Sequence, residues 1–279
     1  MPNVKFVVAA GAILTSSAAF AADFPLAPPP SYIAPVQEFG GWYLRGDIGF
    51  SNQRVGDIRY GRESAYSPLT SFSQQSSFNT AGIFGLGVGY QVNTWFRADL
   101  TGQYRGNSGF TATDRFTGYA SGTPYQGIDN YSGSKSEWVV MANGYADLGT
   151  WWNVTPFIGA GVGAAYVTVS GFTDTGTNNI PFSTASFASA PAGSKWNFAW
   201  AAHAGLAYKV NHSVTLELAY SYMDLGSGRT GSLSTYNGVT TNNSFKFNDI
   251  TSHDLKFGMR WAIDPEPVYF QPGPLVTKG

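Results

Sequence analysis

"IFGLGVGYQV", residues 83 to 92, alternates without a break: Phe84, Leu86, Val88, Tyr90 and Val92 fall on one face, and Gly85, Gly87, Gly89 and Gln91 on the other. A period of two marks a strand with two unlike faces. Seven further segments repeat the pattern. In "GWYLRGDIGF" (41–50) Trp42, Leu44, Ile48 and Phe50 oppose Arg45 and Asp47, and in "WFRADLTGQYR" (95–105) Phe96, Ala98, Leu100 and Tyr104 oppose Arg97, Asp99, Gln103 and Arg105. "EWVVMANGYADL" (137–148) sets Trp138, Val140, Ala142, Ala146 and Leu148 against Glu137, Asn143 and Asp147. "PFIGAGVGAAYVTV" (156–169) sets Ile158, Val162 and Tyr166 against glycines at 159, 161 and 163. "NFAWAAHAGLAYKV" (197–210) places Phe198, Trp200, Leu206, Tyr208 and Val210 opposite Asn197, His203, Gly205 and Lys209. "VTLELAYSY" (214–222) places Val214, Leu216, Leu218, Tyr220 and Tyr222 opposite Thr215, Glu217 and Ser221. "DLKFGMRWAI" (254–263) closes the series, with Leu255, Phe257, Met259, Trp261 and Ile263 opposite Asp254, Lys256, Gly258 and Arg260.

The connections alternate as well. Strands two and three, four and five, and six and seven are joined by a few residues around Asn93, 149–153 and 211–213, whereas 51–79, 106–134, 171–195 and 227–249 are long. Short on one side and long on the other is the arrangement of outer-membrane barrels. A strand protein in hydrocarbon must close on itself to satisfy its backbone. The expected fold is therefore all-β: an eight-stranded antiparallel up-and-down transmembrane barrel with short periplasmic turns and four long extracellular loops. Trp42, Tyr104, Trp138, Tyr166, Tyr208, Tyr222 and Trp261 lie near strand ends, where interfacial aromatics collect.

Composition agrees with that class. Charged residues are 12% of the chain, aromatics 16%, and there is no cysteine; soluble domains carry about 25% charge. A net charge of −1 argues against a nucleic-acid partner. Residues 1–21, "MPNVKFVVAAGAILTSSAAFA", read as a secretory signal peptide. Ten of the fifteen prolines lie outside residues 36–264, which sets the expected boundaries. These are a Pro-rich flexible segment at 22–38, the barrel at 39–263, and a periplasmic tail at 264–279. The predicted location is the outer membrane of a Gram-negative bacterium, with loops extracellular and both termini periplasmic.

Twelve charges share the polar parity: Arg45, Arg97, Arg105, Lys209, Lys256 and Arg260 against Asp47, Asp99, Glu137, Asp147, Glu217 and Asp254. A charge facing lipid at the midplane costs about 2–4 kcal/mol, so these are expected to face the lumen. An eight-stranded lumen is just wide enough for side chains to fill. A salt-bridged plug follows, with the glycine rows making room for the arginines. A narrow porin-like channel gated by the same charges is the alternative.

No catalytic, metal or cofactor site is predicted. His212 and Ser213 are neighbours on a turn and do not make a nucleophile and base pair, while His203 reads as a satisfied interior histidine. No zinc spacing or calcium loop is present in the sequence. The long loops are rich in Ser, Thr, Asn, Gly and Tyr, a composition suited to surface recognition of a host or surface ligand.

The Pro-rich start, "GGWYLRGDIGFSNQ", "GLGVGYQV" and "HDLKFGMRW" together resemble the small outer-membrane immunogenic proteins of alphaproteobacteria, related in architecture to the OmpA transmembrane domain. The resemblance implies roles in envelope integrity and surface contact, with outer-membrane lipid and lipopolysaccharide as surroundings. It also gives "KFGMRWAI" (256–263) a meaning. Lys256, Gly258, Trp261 and Ile263 are similar to the closing-strand signal that the outer-membrane assembly machinery reads. A soluble lipocalin-like barrel is the rival of another class, because alternation alone does not say which face points inward.

Overall fold

The structure, a computed structural model, describes residues 41–60, 69–241 and 243–263. The expected signal peptide, the Pro-rich segment 22–38 and the tail 264–279 lie outside the described residues. Twelve strands are present among those described: β1 (Gly41–Arg54), β2 (Asp57–Tyr60), β3 (Leu69–Phe78), β4 (Ala81–Gln91), β5 (Phe96–Ala120), β6 (Thr123–Asp147), β7 (Val154–Asn178), β8 (Ser186–Ala190), β9 (Gly193–Lys209), β10 (Val214–Arg229), β11 (Ser234–Thr235) and β12 (Phe245–Ala262).

Eight of them close a ring. The order β7-β6-β5-β4-β1-β12-β10-β9 is continuous, and β9 pairs back onto β7 from Val154↔Tyr208 to Val169↔Gly193. Every pairing is antiparallel, so no edge remains open at membrane depth. The register gives the barrel's dimensions. From Leu44 the partners run Val88, Leu100, Ala142, Val162, Trp200, Asp224 and Thr251, then return to β1 at Arg54, ten residues further along (44 to 54). A stagger of that size over eight strands sets a tilt of roughly 40° and a backbone radius of roughly 8 Å. Side chains from opposite walls meet across so small a radius.

Alternation decides inside from outside. Leu44, Ile48, Leu86, Val88, Leu100, Val140, Ile158, Val162, Leu206, Leu218, Phe257 and Met259 are all exposed on the outer wall, Leu86 at 74%. The polar parity is buried within. This arrangement is the inverse of a lipocalin, whose apolar face lines the cavity, and it removes that rival. Trp196 and Tyr208, both exposed, stand twelve residues apart on β9. At 3.3 Å per residue and this tilt, that is about 30 Å, the thickness of a bilayer core. Tyr104, Trp138, Tyr166 and Trp196 face one another across four strands as one aromatic row, with ring pairs at 4.8 and 4.9 Å. Trp42 and Tyr90, edge to face at 5.3 Å, belong to the other row.

The long connections are built mostly of sheet. β5 and β6 continue far past the upper aromatic row as a hairpin closed by Ser121 and Gly122, both at positive φ (50° and 81°), the backbone of a type I′ turn. Near the start of this extension four strands each carry an extra residue. The sites are between Arg105 and Ser108 on β5, at Gly171 on β7, at Gly226 on β10 and at Asp249 on β12. Each insertion swaps the faces of everything beyond it. Above this ring of bulges the interior becomes apolar: Phe110, Phe172, Phe245, Phe247 and Tyr131 pack with Val167, Val169, Leu225 and Ile250. Phe110 meets Phe247 edge-on at 4.9 Å, and Phe172 meets Phe245 at 4.6 Å.

Two of the three short turns are set by asparagines. Asn93 Oδ1 accepts from the Trp95 and Phe96 amides, and Asn211 Oδ1 accepts from those of Ser213 and Val214. The two turns are built alike because both loops begin with Val-Asn.

Candidate functional site

The lumen at membrane depth is where functional chemistry gathers. Of the twelve charges expected there, Arg45, Asp47, Arg97, Asp99, Arg105, Glu137, Glu217, Asp254 and Lys256 are buried inside. Asp147 and Arg260 are half-buried nearer the periplasmic mouth. Lys209 departs from expectation: it is the last residue of β9 and is exposed at the rim, because the strand ends before a lumen wall exists to cover it. Lys135, which alternation did not reach, is fully buried and restores six charges of each sign inside.

The pairs form two layers. In the periplasmic layer Glu217 is gripped by three arginines: Arg260 Nε at 2.6 Å, Arg97 Nη2 at 3.3 Å and Arg45 Nη2 at 3.4 Å. The first two are ion contacts without an aligned hydrogen bond. Arg45 also donates to Asp99 at 2.6 Å, to Asp47 at 2.7 Å and to the Tyr145 hydroxyl at 3.0 Å. Arg97 reaches Asp147 at 3.2 Å and lies over the rings of Tyr145 and Phe157, at 4.1 and 4.7 Å from their centroids. In the outer layer Arg105 grips Asp254 with two bonds, 2.5 and 3.1 Å, and donates to Ser51 and Ser252. Beside it Lys135 bridges Glu137 and Gln53.

Glycines permit this filling, though less for arginine than expected. A Cβ at Gly89 would sit 2.2 Å from the Tyr43 ring, and one at Gly161 would sit 2.0 Å from the Asn143 carboxamide. Gly87 does face the Arg45 stem, at 3.0 Å. The rows mainly admit tyrosine and asparagine, which in turn hold the arginines.

Lys256 is buried at 3% exposure, with Asp47 and Asp254 as its acidic neighbours. Gly258 follows it on the same inner face, while Trp261 and Ile263 point outward and are exposed. The expected interfacial aromatics Trp42, Trp138, Tyr208 and Trp261 are exposed on the outer wall. Tyr104, Tyr166 and Tyr222 are half-covered by neighbouring rings.

His203 lies in the lumen between Ser221 Oγ (2.8 Å from Nδ1) and Asn143 Oδ1 (3.2 Å from Nε2). Serine, histidine and asparagine stand in hydrogen-bonded series as in a hydrolase triad, but with the two ring nitrogens exchanged relative to it, and Ser221 is completely buried. The sequence offered only His212 and Ser213 as neighbours, a pair already set aside, and gave His203 no serine partner. Ser221 and His203 face each other across a β9–β10 pair, a juxtaposition that only strand register creates.

No family model matches the chain. An uncharacterized protein of Brucella melitensis is 33% identical over 80% of this chain and 81% of its own length. The outer membrane protein PagN of Salmonella typhimurium is 32% identical over 67% of this chain and 75% of its own. The chain belongs to this family of small, OmpA-like outer-membrane barrel proteins. The crystal structure of the outer membrane protein OprG from Pseudomonas aeruginosa is also similar, at 14% identity and a TM-score of 0.45 over 80% of this chain and 96% of that one. This family member therefore resides at the surface of the outer membrane of a Gram-negative bacterium. Its long connections are extracellular and its short turns periplasmic.

Proposed function

We propose that the protein is a closed, non-conducting barrel that serves envelope integrity and surface contact. The observation carrying this reading is the three-arginine clasp on Glu217. Arg45, Arg97 and Arg260 come from three different strands and converge on one carboxylate, which ties opposite walls of the lumen together. A path for hydrated ions would have to break several buried, mutually dependent pairs, each costly to leave half-made. The phenylalanine cluster above adds a second, apolar obstruction. Lys256, Gly258 and Trp261 on the last strand and Ile263 just past its end carry the assembly signal, with the two outward side chains available to the assembly machinery. Outer-membrane lipid and lipopolysaccharide surround the apolar wall, and the extracellular extension offers its polar surface to a host or neighbouring ligand.

A narrow, gated channel is the second reading. It is favoured by a cavity of about 360 Å³ at the periplasmic mouth, lined by Tyr43, Asp147, Lys209 and Arg260, which brings water to the first ion pairs. Single-channel recording of the refolded mature protein in a planar bilayer, with folding verified on the same sample, separates the two. Silence at all salt concentrations is the expected result. Reproducible conductance steps, lost on neutralising Glu217, would establish the channel instead.

A further inference from the structure

Lys135, Glu137 and Gln53 bring an amine, a carboxylic acid and a carboxamide together at one buried point. Gln53 continues the inward parity of β1 beyond Ser51, and Lys135 and Glu137 both point inward on β6. In the ring β6 and β1 are separated by β5 and β4. The three side chains therefore meet across the lumen. Lys135 and Glu137 are each 1% exposed and Gln53 3%. The Glu137 carboxylate touches both of the others: Oε1 accepts from Lys135 Nζ, and Oε2 accepts from Gln53 Nε2 at 3.0 Å. Lys135 Nζ in turn donates to Gln53 Oε1. The Phe78 ring lies 5.8 Å from Nζ and packs against the apolar cluster above.

A lysine that only balanced charge would need its carboxylate and nothing more. Here the carboxamide is placed with its oxygen on the amine and its nitrogen on the acid. The amine thus stands against an acyl group, and the acid touches both the nucleophile and the group that would leave. Out of water an ammonium and a carboxylate are both disfavoured as ions, and one proton passed between them leaves an amine and a carboxylic acid. A neutral lysine amine is a nucleophile. Contact replaces an encounter in solution with an intramolecular step, and burial keeps water from competing for the acyl carbon.

We propose that Lys135 and Gln53 join covalently in an isopeptide bond that staples β6 to β1 through the lumen, with Glu137 as the proton carrier. Lys135 Nζ attacks Gln53 Cδ, the new N–C bond forms, and the Cδ–Nε2 bond breaks. Of the three Nζ protons one stays on the new amide, one passes through Glu137 to Nε2, and one remains on Glu137. Nε2 leaves as ammonia, and no oxidant or further reactant is required. Lys135 and Glu137 lose their charges together, so no buried ion is stranded. The two joined residues are 82 apart in sequence and meet only when the barrel closes, so the bond forms after folding. The proposal does not depend on whether the lumen conducts.

The test is intact-mass spectrometry of the mature protein before and after refolding into phospholipid vesicles, with strand content followed by circular dichroism. Denatured chain that has never folded should have the mass of its sequence, and the refolded chain should be lighter by one ammonia. Trypsin, which cuts after Arg45 and Arg54, should then release residues 46–54 as a branch on the peptide that carries Lys135, uncut after that lysine. Glu137→Gln should fold and keep its full mass, as should Gln53→Ala. A refolded parent at full mass would show an ordinary ion pair and overturn the proposal. An ammonia loss that fragment sequencing maps to another residue overturns it too. A cross-link formed as completely in Glu137→Gln as in the parent overturns the role of Glu137, and the measurement on the parent decides the bond itself whether or not that variant folds.

Discussion

Arg105 and Asp254 show how a single buried pair behaves in this lumen. Both side chains have no exposed surface, and the guanidinium makes two bonds to the carboxylate while sharing Ser51 and Ser252. Removing one partner strands the other charge, which costs about 3–5 kcal/mol, whereas replacing both with apolar residues of similar volume costs far less. Arg105→Met and Asp254→Asn, each alone, should therefore destabilise the barrel more than Arg105→Met with Asp254→Leu. Urea titration in phospholipid vesicles, followed by tryptophan fluorescence, measures this. A double variant as unstable as the sum of the singles would show the pair to be uncoupled. Arg105 was legible in the sequence because it continues the parity of Arg97 and Asp99. Lys135 was not, because its neighbours Ser134 and Ser136 supply no apolar residue to mark the opposite face.

At the scale of the strand, the bulges explain where sequence reading stops. On β5 the even positions are apolar both below and above the insertion. Phe96, Ala98, Leu100 and Tyr104 face lipid, yet Phe110 and Ala112 lie in the buried core. One extra residue reverses the faces at the level where the outside changes from hydrocarbon to water, so the apolar side turns inward. Alternation survives while its meaning inverts, and for that reason 106–134 read as a connection. The same inversion carries Asp114 and Asp174 inward on β5 and β7, where they join Asp129, which the unbroken parity of β6 already directs inward. Asp114 stands directly opposite Asp129 and accepts a bond from Tyr131 at 3.0 Å. Burial, then the Asp114 charge, pushes Asp129 up to about 6. Burial, then the charges of Asp129 and Asp114, pushes Asp174 up to about 7. Both exceed the unfolded value of about 3.9, so the folded extension holds extra protons in between. Their contribution is most favourable below the unfolded value and is lost as pH rises through 6 to 7. Amide hydrogen exchange at the tips of β5, β6 and β7, corrected for the intrinsic rate, should show stronger protection at pH 5 than at pH 8. Asp129→Asn with Asp174→Asn should flatten the difference; a gradient that persists in that variant would assign it elsewhere.

For the molecule as a whole, the decisive property is that its largest apolar surface faces outward. Ala202 lies midway between Trp196 and Tyr208 on β9 and is exposed, which puts it near the bilayer centre. Ala202→Arg should cost about 2–4 kcal/mol of folding free energy in vesicles, while Ala202→Leu should cost nothing measurable. An arginine tolerated there without loss would place this wall in water. By itself, the sequence determined the eight spanning strands, their unlike faces and the short and long connections, because a lipid exterior writes a period of two into every spanning segment. Tertiary structure alone decided which charges pair, that Glu217 is shared by three arginines and that Ser221 meets His203. Those depend on the ten-residue stagger between β1 and its own return around the ring and on where single residues are inserted. Neither quantity is written in any one strand, since both arise only when eight of them close.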